Sequence, residues 1–154
     1  MSKHPPDQEH IDENMMKVEV NLDDTPGEWL GYVMDKLFDA GANDVYYTPI
    51  YMKKNRPAVQ LQLLCSEDRF AEMKDIVLAE TTTLGIRYYP ISVYRMERQI
   101  REVDTKWGPV TVKEGLLRDR VVKAAPEYEH CKALAEQHHV PLKDVYHEVW
   151  KQLK

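Results

Sequence analysis

At 154 residues the chain has room for one domain, or for two small ones sharing a core. It is 43% hydrophobic and 31% charged, which excludes wholesale disorder and lets a chain of this size bury roughly two-thirds of its unfolded surface. The net charge of −5 argues against general nucleic-acid binding, and no run approaches the ~18 uninterrupted apolar residues of a membrane span. Two cysteines, Cys65 and Cys131, are too few for a disulfide scaffold or a four-cysteine zinc site, so a reducing, cytoplasmic location is the expectation.

The charge is uneven. Residues 1–14 set Lys3 against Asp7, Glu9, Asp12 and Glu13, whereas Leu84 to Lys123 holds nine Lys or Arg against five Asp or Glu. A locally basic segment in an acidic protein suits a small anionic ligand better than a long polyanion. A solvated sheet face of mixed charge is the plainer explanation.

Residues 1–15 show no apolar periodicity and are expected to be a flexible tail or linker remnant, with His4 and His10 solvated inside it. Lys17-Val18-Glu19-Val20-Asn21-Leu22 alternates as a half-buried strand does. Thr25 and Glu28 then have capping-box spacing, with Pro26 at the first helical position. Trp29, Leu30, Val33, Leu37 and Phe38 share one helical face, and Gly41 ends the helix as a left-handed cap.

Val45 to Met52 reads as a strand in which Pro49 implies an edge or a bulge. Lys53 to Pro57 is a turn, and Val59, Leu61 and Leu63 alternate with Gln60 and Gln62 on the return strand. Ser66 is a candidate N-cap for a helix striped by Phe70, Met73 and Val77; Thr81-Thr82-Thr83-Leu84-Gly85 stops it. Ile86 to Met96 is a strand interrupted by Pro90. The order strand–helix–strand–strand–helix–strand is the ferredoxin-like βαββαβ arrangement.

Beyond it, Val103 and Thr105 enter a turn at Lys106 to Pro109 and Val110 and Val112 return. Arg120 to Lys123 adds a short strand. Pro126 opens a helix bearing Tyr128, Cys131, Leu134 and Ala135, and Pro141 opens a last one bearing Leu142, Val145, Tyr146, Val149, Trp150 and Leu153. The fold class expected is α+β: a tail at 1–15, a ferredoxin-like domain at 16–98, and a β-hairpin plus helical subdomain at 99–154.

Asp23 and Asp24 lie where a strand gives way to a helix. Adjacent carboxylates there can hold a hard divalent ion that also touches phosphate oxygens; alternatively, Asp24 favours the helix dipole and Asp23 forms the turn. Lys53, Lys54 and Arg56 put three cations in one hairpin turn, suited to phosphate or carboxylate capture or simply to solvent. Thr81, Thr82 and Thr83 followed by Gly85 and Arg87 offer hydroxyl and cationic donors to an anion, or make only a stop signal. His130, His138, His139 and His147 lack the i, i+4 pairing around a helical Glu that a zinc hydrolase uses, and are read as solvated or packed. No Gly-x-Ser-x-Gly or Cys-x-x-Cys motif supports acyl transfer or thiol redox chemistry.

Taken in order, Val20 to Pro26, Asp39 to Val45, Thr48 to Pro57, Glu80 to Arg87, Lys123 to Cys131 and Val140-Pro141-Leu142 resemble the C-terminal domain of the LarC family, over roughly residues 17–149. LarC proteins insert nickel during synthesis of the nickel-pincer cofactor of lactate racemase and related enzymes. The resemblance implies a cyclometallase-type enzyme of the lyase class, a CTP-dependent nickel insertase acting on a pyridinium bis-thiocarboxylate mononucleotide. It implies that this domain binds CTP with Mg2+ or Mn2+ and is associated with its hydrolysis, nickel being the substrate ion and an N-terminal LarC-type portion being a partner.

On that resemblance Asp23 and Asp24 hold the metal, and Asp23, Lys54 and Arg56 form the catalytic group. Lys53, Thr81, Thr82, Thr83, Arg87 and Lys123 become nucleotide contacts, with Glu127 and Tyr128 on the base or ribose. Ala125 departs from the more basic or polar motif expected beside Lys123. A ferredoxin-like regulatory or oligomerisation module that binds a small ligand without catalysis is the competing reading. A homo-oligomer suits either, through an edge strand carrying Tyr46, Tyr47 and Tyr51.

Overall fold

The computed structural model describes residues 10–153. The chain divides into two compact units, Ile11–Val93 and a second from Tyr94 onward.

In the first unit, alternation does most of the work. Along β1 (His10–Leu22), Val18, Val20 and Leu22 turn to one face of the sheet, and on β3 (Arg56–Ser66) Leu61, Leu63 and Cys65 do the same. Two helices cover that face: α1 (Gly27–Asp39) buries Val33 and Leu37, one turn apart, and α2 (Phe70–Glu80) buries Met73 and Val77. With β2 (Asp44–Met52) and β4 (Arg87–Arg95) the strand order is β2-β3-β1-β4, and β3 runs antiparallel to both β1 and β2. This is the ferredoxin-like arrangement. Its edge strands β2 and β4 carry Pro49 and Pro90, where a missing N–H is tolerated, and Pro57 sits at the start of β3, before the pairing with β1 begins at Val59. Neither edge proline breaks its strand, and β4 runs through Pro90 without interruption.

Two expectations are corrected. The strand begins at His10, so the tail reading fails for 10–15: Met15 and Met16 are both buried, and Met15 pairs with Ser66. Residues 1–9, including His4, lie outside the described part. The capping box does not form, since α1 is capped at Pro26 with no side-chain cap bond, and the Thr25 hydroxyl bonds that of Thr82 at 2.7 Å. Gly41 does take the left-handed conformation after α1, at φ 94°.

The second unit repeats the plan with a meander. Strands β5 (Glu97–Thr105), β6 (Gly108–Leu117) and β7 (Arg120–Pro126) form a three-stranded antiparallel sheet, the expected hairpin with the short strand added beside it. Helices α3 (Tyr128–His138) and α4 (Leu142–Gln152) set Cys131, Ala135, Val145 and Val149 against Val103, Val110 and Val112. Pro126 ends β7, leaving Glu127 as the N-cap of α3. Arg118 and Asp119 make the two-residue β6–β7 turn with positive φ at both, the geometry that matches strand twist.

Candidate functional site

The antiparallel topology brings four strand termini to one end of the first sheet: the C-terminal ends of β1 and β2 and the N-terminal ends of β3 and β4. The start of α1 and the exit of α2 come to the same end. Asp23, Asp24, Lys53, Lys54, Arg56, Thr81 to Thr83 and Arg87 all sit on those termini, so segments far apart in sequence converge.

Side-chain contacts join them. Arg56 Nη1 lies 3.4 Å from Asp23 Oδ2. The Thr82 hydroxyl donates to Asp24 Oδ1 at 2.5 Å, and Thr25 Oγ1 accepts from the Thr82 backbone N–H at 3.4 Å. An exposed pair such as Asp23–Arg56 contributes at most about 1 kcal/mol, so it places the carboxylate rather than holding the fold. Among the described residues no three His, Cys, Asp or Glu side chains form a metal-holding cluster. The two adjacent carboxylates suit a hard cation only if a ligand's oxygens and water complete its shell.

The β2–β3 turn is a 3-10 turn, Lys53–Asn55, in which Lys54 and Asn55 both have positive φ, 62° and 55°. Lys54 bears the cost of a Cβ in the left-handed region, which Asn tolerates better, and the β6–β7 turn holds Arg118 and Asp119 there as well. Lys53 and Arg87 line one groove of about 530 Å3 on the sheet face away from the helices, together with Glu19, Asn21, Ile50, Met52 and Gln60. Gln60 Nε2 donates to Asn21 Oδ1 at 3.0 Å, and the Tyr89 hydroxyl donates to Glu19 Oε1 at 2.9 Å. That carboxylate raises the Tyr89 pKa above its ordinary 10.0. Glu19, Asn21 and Gln60 escaped the sequence reading because they fill the polar positions of alternating strands. The available signal was the run of amides, Asn21, Gln60 and Gln62, on one face.

Other expected residues go elsewhere. Thr81 is buried and its hydroxyl donates to the Val77 carbonyl at 2.8 Å, so it closes α2 rather than offering a ligand donor. Thr83 donates to the Gly85 carbonyl at 2.8 Å. Lys123, Glu127 and Tyr128 belong to the second unit, and the cation facing Glu127 is Lys113, at 2.5 Å, not Lys123. His130 Nδ1 accepts from the Thr111 N–H at 3.3 Å and His139 is the left-handed cap of α3.

Compared with known proteins, residues 4–146 match a family described as nickel insertion protein. The pyridinium-3,5-bisthiocarboxylic acid mononucleotide nickel insertion protein of Acetivibrio thermocellus is 46% identical over 145 residues, 94% of this chain and 35% of that protein. The protein of the same name from Thermotoga petrophila is 41% identical over 136 residues, 88% of this chain and 34% of that one. The chain therefore spans about a third of the length of these curated relatives. Among solved structures, LarC2, the C-terminal domain of a cyclometallase involved in synthesis of the NPN cofactor of lactate racemase, superposes with TM-score 0.83 at 41% identity, covering 92% of this chain and 95% of that one. Protein MK0293 of Methanopyrus kandleri follows with TM-score 0.66 at 26% identity, covering 88% and 85%. No helix among the described residues is long and apolar enough to cross a membrane.

Proposed function

Because this chain belongs to the nickel insertion protein family, and corresponds to the C-terminal domain of a cyclometallase, we propose that it is the part that binds CTP with Mg2+ or Mn2+. In that role it supports CTP-dependent insertion of nickel, the substrate ion, into a pyridinium bis-thiocarboxylate mononucleotide. The remaining two-thirds of the relatives' length is its functional partner, and the working assembly is a homo-oligomer. The observation that carries the reading is the convergence of Asp23–Arg56 and Asp24–Thr82 with Lys53, Lys54 and Arg87 at one end of one sheet.

The chemistry follows from the charges. Four cations at one sheet end attract a polyphosphate, while two carboxylates beside them repel it unless a cation intervenes. Asp23 and Asp24 would hold the divalent ion, which when bound neutralises phosphate charge. Arg56 keeps Asp23 oriented by their contact and reaches an anion with its remaining donors. The Thr82 hydroxyl orients Asp24. The first N–H groups of α1 have no side-chain cap, and Gly27 faces open space, so a phosphate can approach the positive end of that helix. If a phosphoanhydride is hydrolysed, water attacks phosphorus as the P–O bond to the leaving phosphate breaks; Lys54 and Arg56 stabilise the growing charge.

Calorimetric titration with CTP in Mg2+ or Mn2+, with ATP, GTP and UTP as competitors and EDTA as control, tests the reading. Metal-dependent binding that prefers CTP is expected. No binding of any nucleotide would leave a ferredoxin-like regulatory or oligomerisation module as the better description.

A further inference from the structure

We infer that the sheet of the second unit continues from one copy of the chain into the next, the β7 edge of one copy pairing with the β5 edge of its neighbour. The inference deepens the homo-oligomeric part of the reading above by naming the surface, and it makes no use of the nucleotide site. Among the described residues β5 and β7 each pair with β6 alone, so each presents one unpaired row of backbone N–H and C=O groups.

The two units treat their edges differently. The first blunts both, with Pro49 in β2 and Pro90 in β4. The second has no proline in β5, and in β7 only Pro126 at the last position. It also leaves β-branched side chains in solvent at both edges: Ile100 of β5 is 65% exposed, and Val121 and Val122 of β7 are 48% and 49% exposed. Unblunted edges bearing exposed aliphatic residues are templates for another strand. The tyrosines of β2 are less suited, since Pro49 interrupts that edge and the Tyr46 and Tyr47 hydroxyls already donate to Gln62 and to the Leu30 carbonyl.

Charge decides which edge meets which. The second half of β5 carries Glu102 and Asp104, and β7 carries Arg120 and Lys123. All four are exposed, and none has an ion-pair partner among the described residues. Arg101 of β5, by contrast, is already held by Glu114. Two β7 edges would set cations against cations and two β5 edges acids against acids, and like charges directly opposite one another destabilise a strand pair. A β7 edge against a β5 edge pairs opposite signs. That contact joins two different surfaces of the chain, so it closes as a ring of at least three copies and never as a two-fold dimer.

Sedimentation velocity without nucleotide tests the surface, on the unmodified chain and on Glu102→Lys, Arg120→Glu, the two combined, and Tyr51→Ser. The parent is expected at three or more times the chain mass, and each single charge reversal at the mass of one chain. The combined variant brings opposite signs back to every contact and is expected to reassemble. Tyr51→Ser, on the β2 edge, is expected to match the parent. Thermal midpoints confirm folding, and Asp104→Lys stands in if Glu102→Lys does not fold. A monomeric parent overturns the inference and the homo-oligomeric reading together. A dimeric parent, or a larger one whose mass both single reversals leave unchanged, overturns the edge contact alone. So does a combined variant that stays monomeric, or an assembly that only Tyr51→Ser takes apart.

Discussion

The two units use the same parts, an antiparallel sheet with two helices on one face, yet they treat charge in opposite ways. In the second unit the notable charges are neutralised within the local scaffold: Arg101 Nε donates to the buried Glu114 at 2.5 Å, with Gln99 adding a bond at 2.7 Å, and Lys113 meets Glu127 across β6 and the start of α3. In the first unit the charges gather where four strand termini meet, and the contacts among them are exposed or long, as in Asp23–Arg56 at 3.4 Å. Local neutralisation makes a scaffold. Charge concentrated at a strand-terminal edge makes a place for a ligand that completes the neutralisation.

Each unit also carries its own reporter, a buried cysteine. Burial pushes the Cys65 thiol up to about 11 and raises Cys131 above its ordinary 9.0, so neither is expected to react with alkylating reagents while its core is intact. The largest effect expected is from Leu61→Ala, a fully buried residue of the first core, at about 2–5 kcal/mol. It should be read as faster alkylation of Cys65; Val149→Ala should speed alkylation of Cys131 by a smaller factor. A Cys65 rate unmoved by Leu61→Ala would sink the assignment of that cysteine to the same core. Next in size is Asp23→Ala, expected to weaken metal-dependent CTP binding by about 10- to 100-fold with less than about 1 kcal/mol lost from stability. If affinity holds, Asp23 merely accompanies Arg56.

How much of this was legible depends on the range of the interaction. Val18 and Val20, Leu61 and Leu63, and Val33 and Leu37 declare their elements through periodicity, a local property, and the edge prolines declare theirs through chemistry. Trp29 and Phe38 share a helical face with Val33 and Leu37 by periodicity, but they flank the buried pair at 47% and 44% exposure; a helical stripe has margins that composition does not mark. Thr25 was given to a local cap and is instead bonded to Thr82, 57 residues on. The same long reach hid the pairing of Asp24 with Thr82 and the shared groove of Lys53 and Arg87. Site residues were found as residue types; their partners were set by topology.

A pH dependence sharpens the contrast from the second unit's side. The Arg101 guanidinium, helped by Gln99, holds the Glu114 carboxyl below its ordinary 4.5. A carboxyl depressed on folding contributes stability that is present above the unfolded value and is lost as pH falls through the folded one. The thermal midpoint should therefore drop as pH is lowered below 4.5, and Glu114→Gln should remove part of that acid limb while costing stability at neutral pH. An acid limb identical in the variant would show that Glu114 takes no share in it.

The smallest effect expected is at the turn of the first unit, where stability and binding should move in opposite directions. Lys54 holds φ at 62°, a conformation that costs a residue with a Cβ about 1 kcal/mol and costs glycine little. Lys54→Gly should relieve that strain and raise stability by a few tenths to about 1 kcal/mol, offset in part by the greater freedom of glycine in the unfolded chain. If the strain exists to present a cation to the phosphates, the same change should weaken CTP binding several-fold and steepen nothing else, least of all the behaviour of the second unit's acid limb. A gain in stability with binding intact would make the turn an ordinary solvated hairpin, and the neutralising ligand would then rely on Lys53, Arg56 and Arg87 alone.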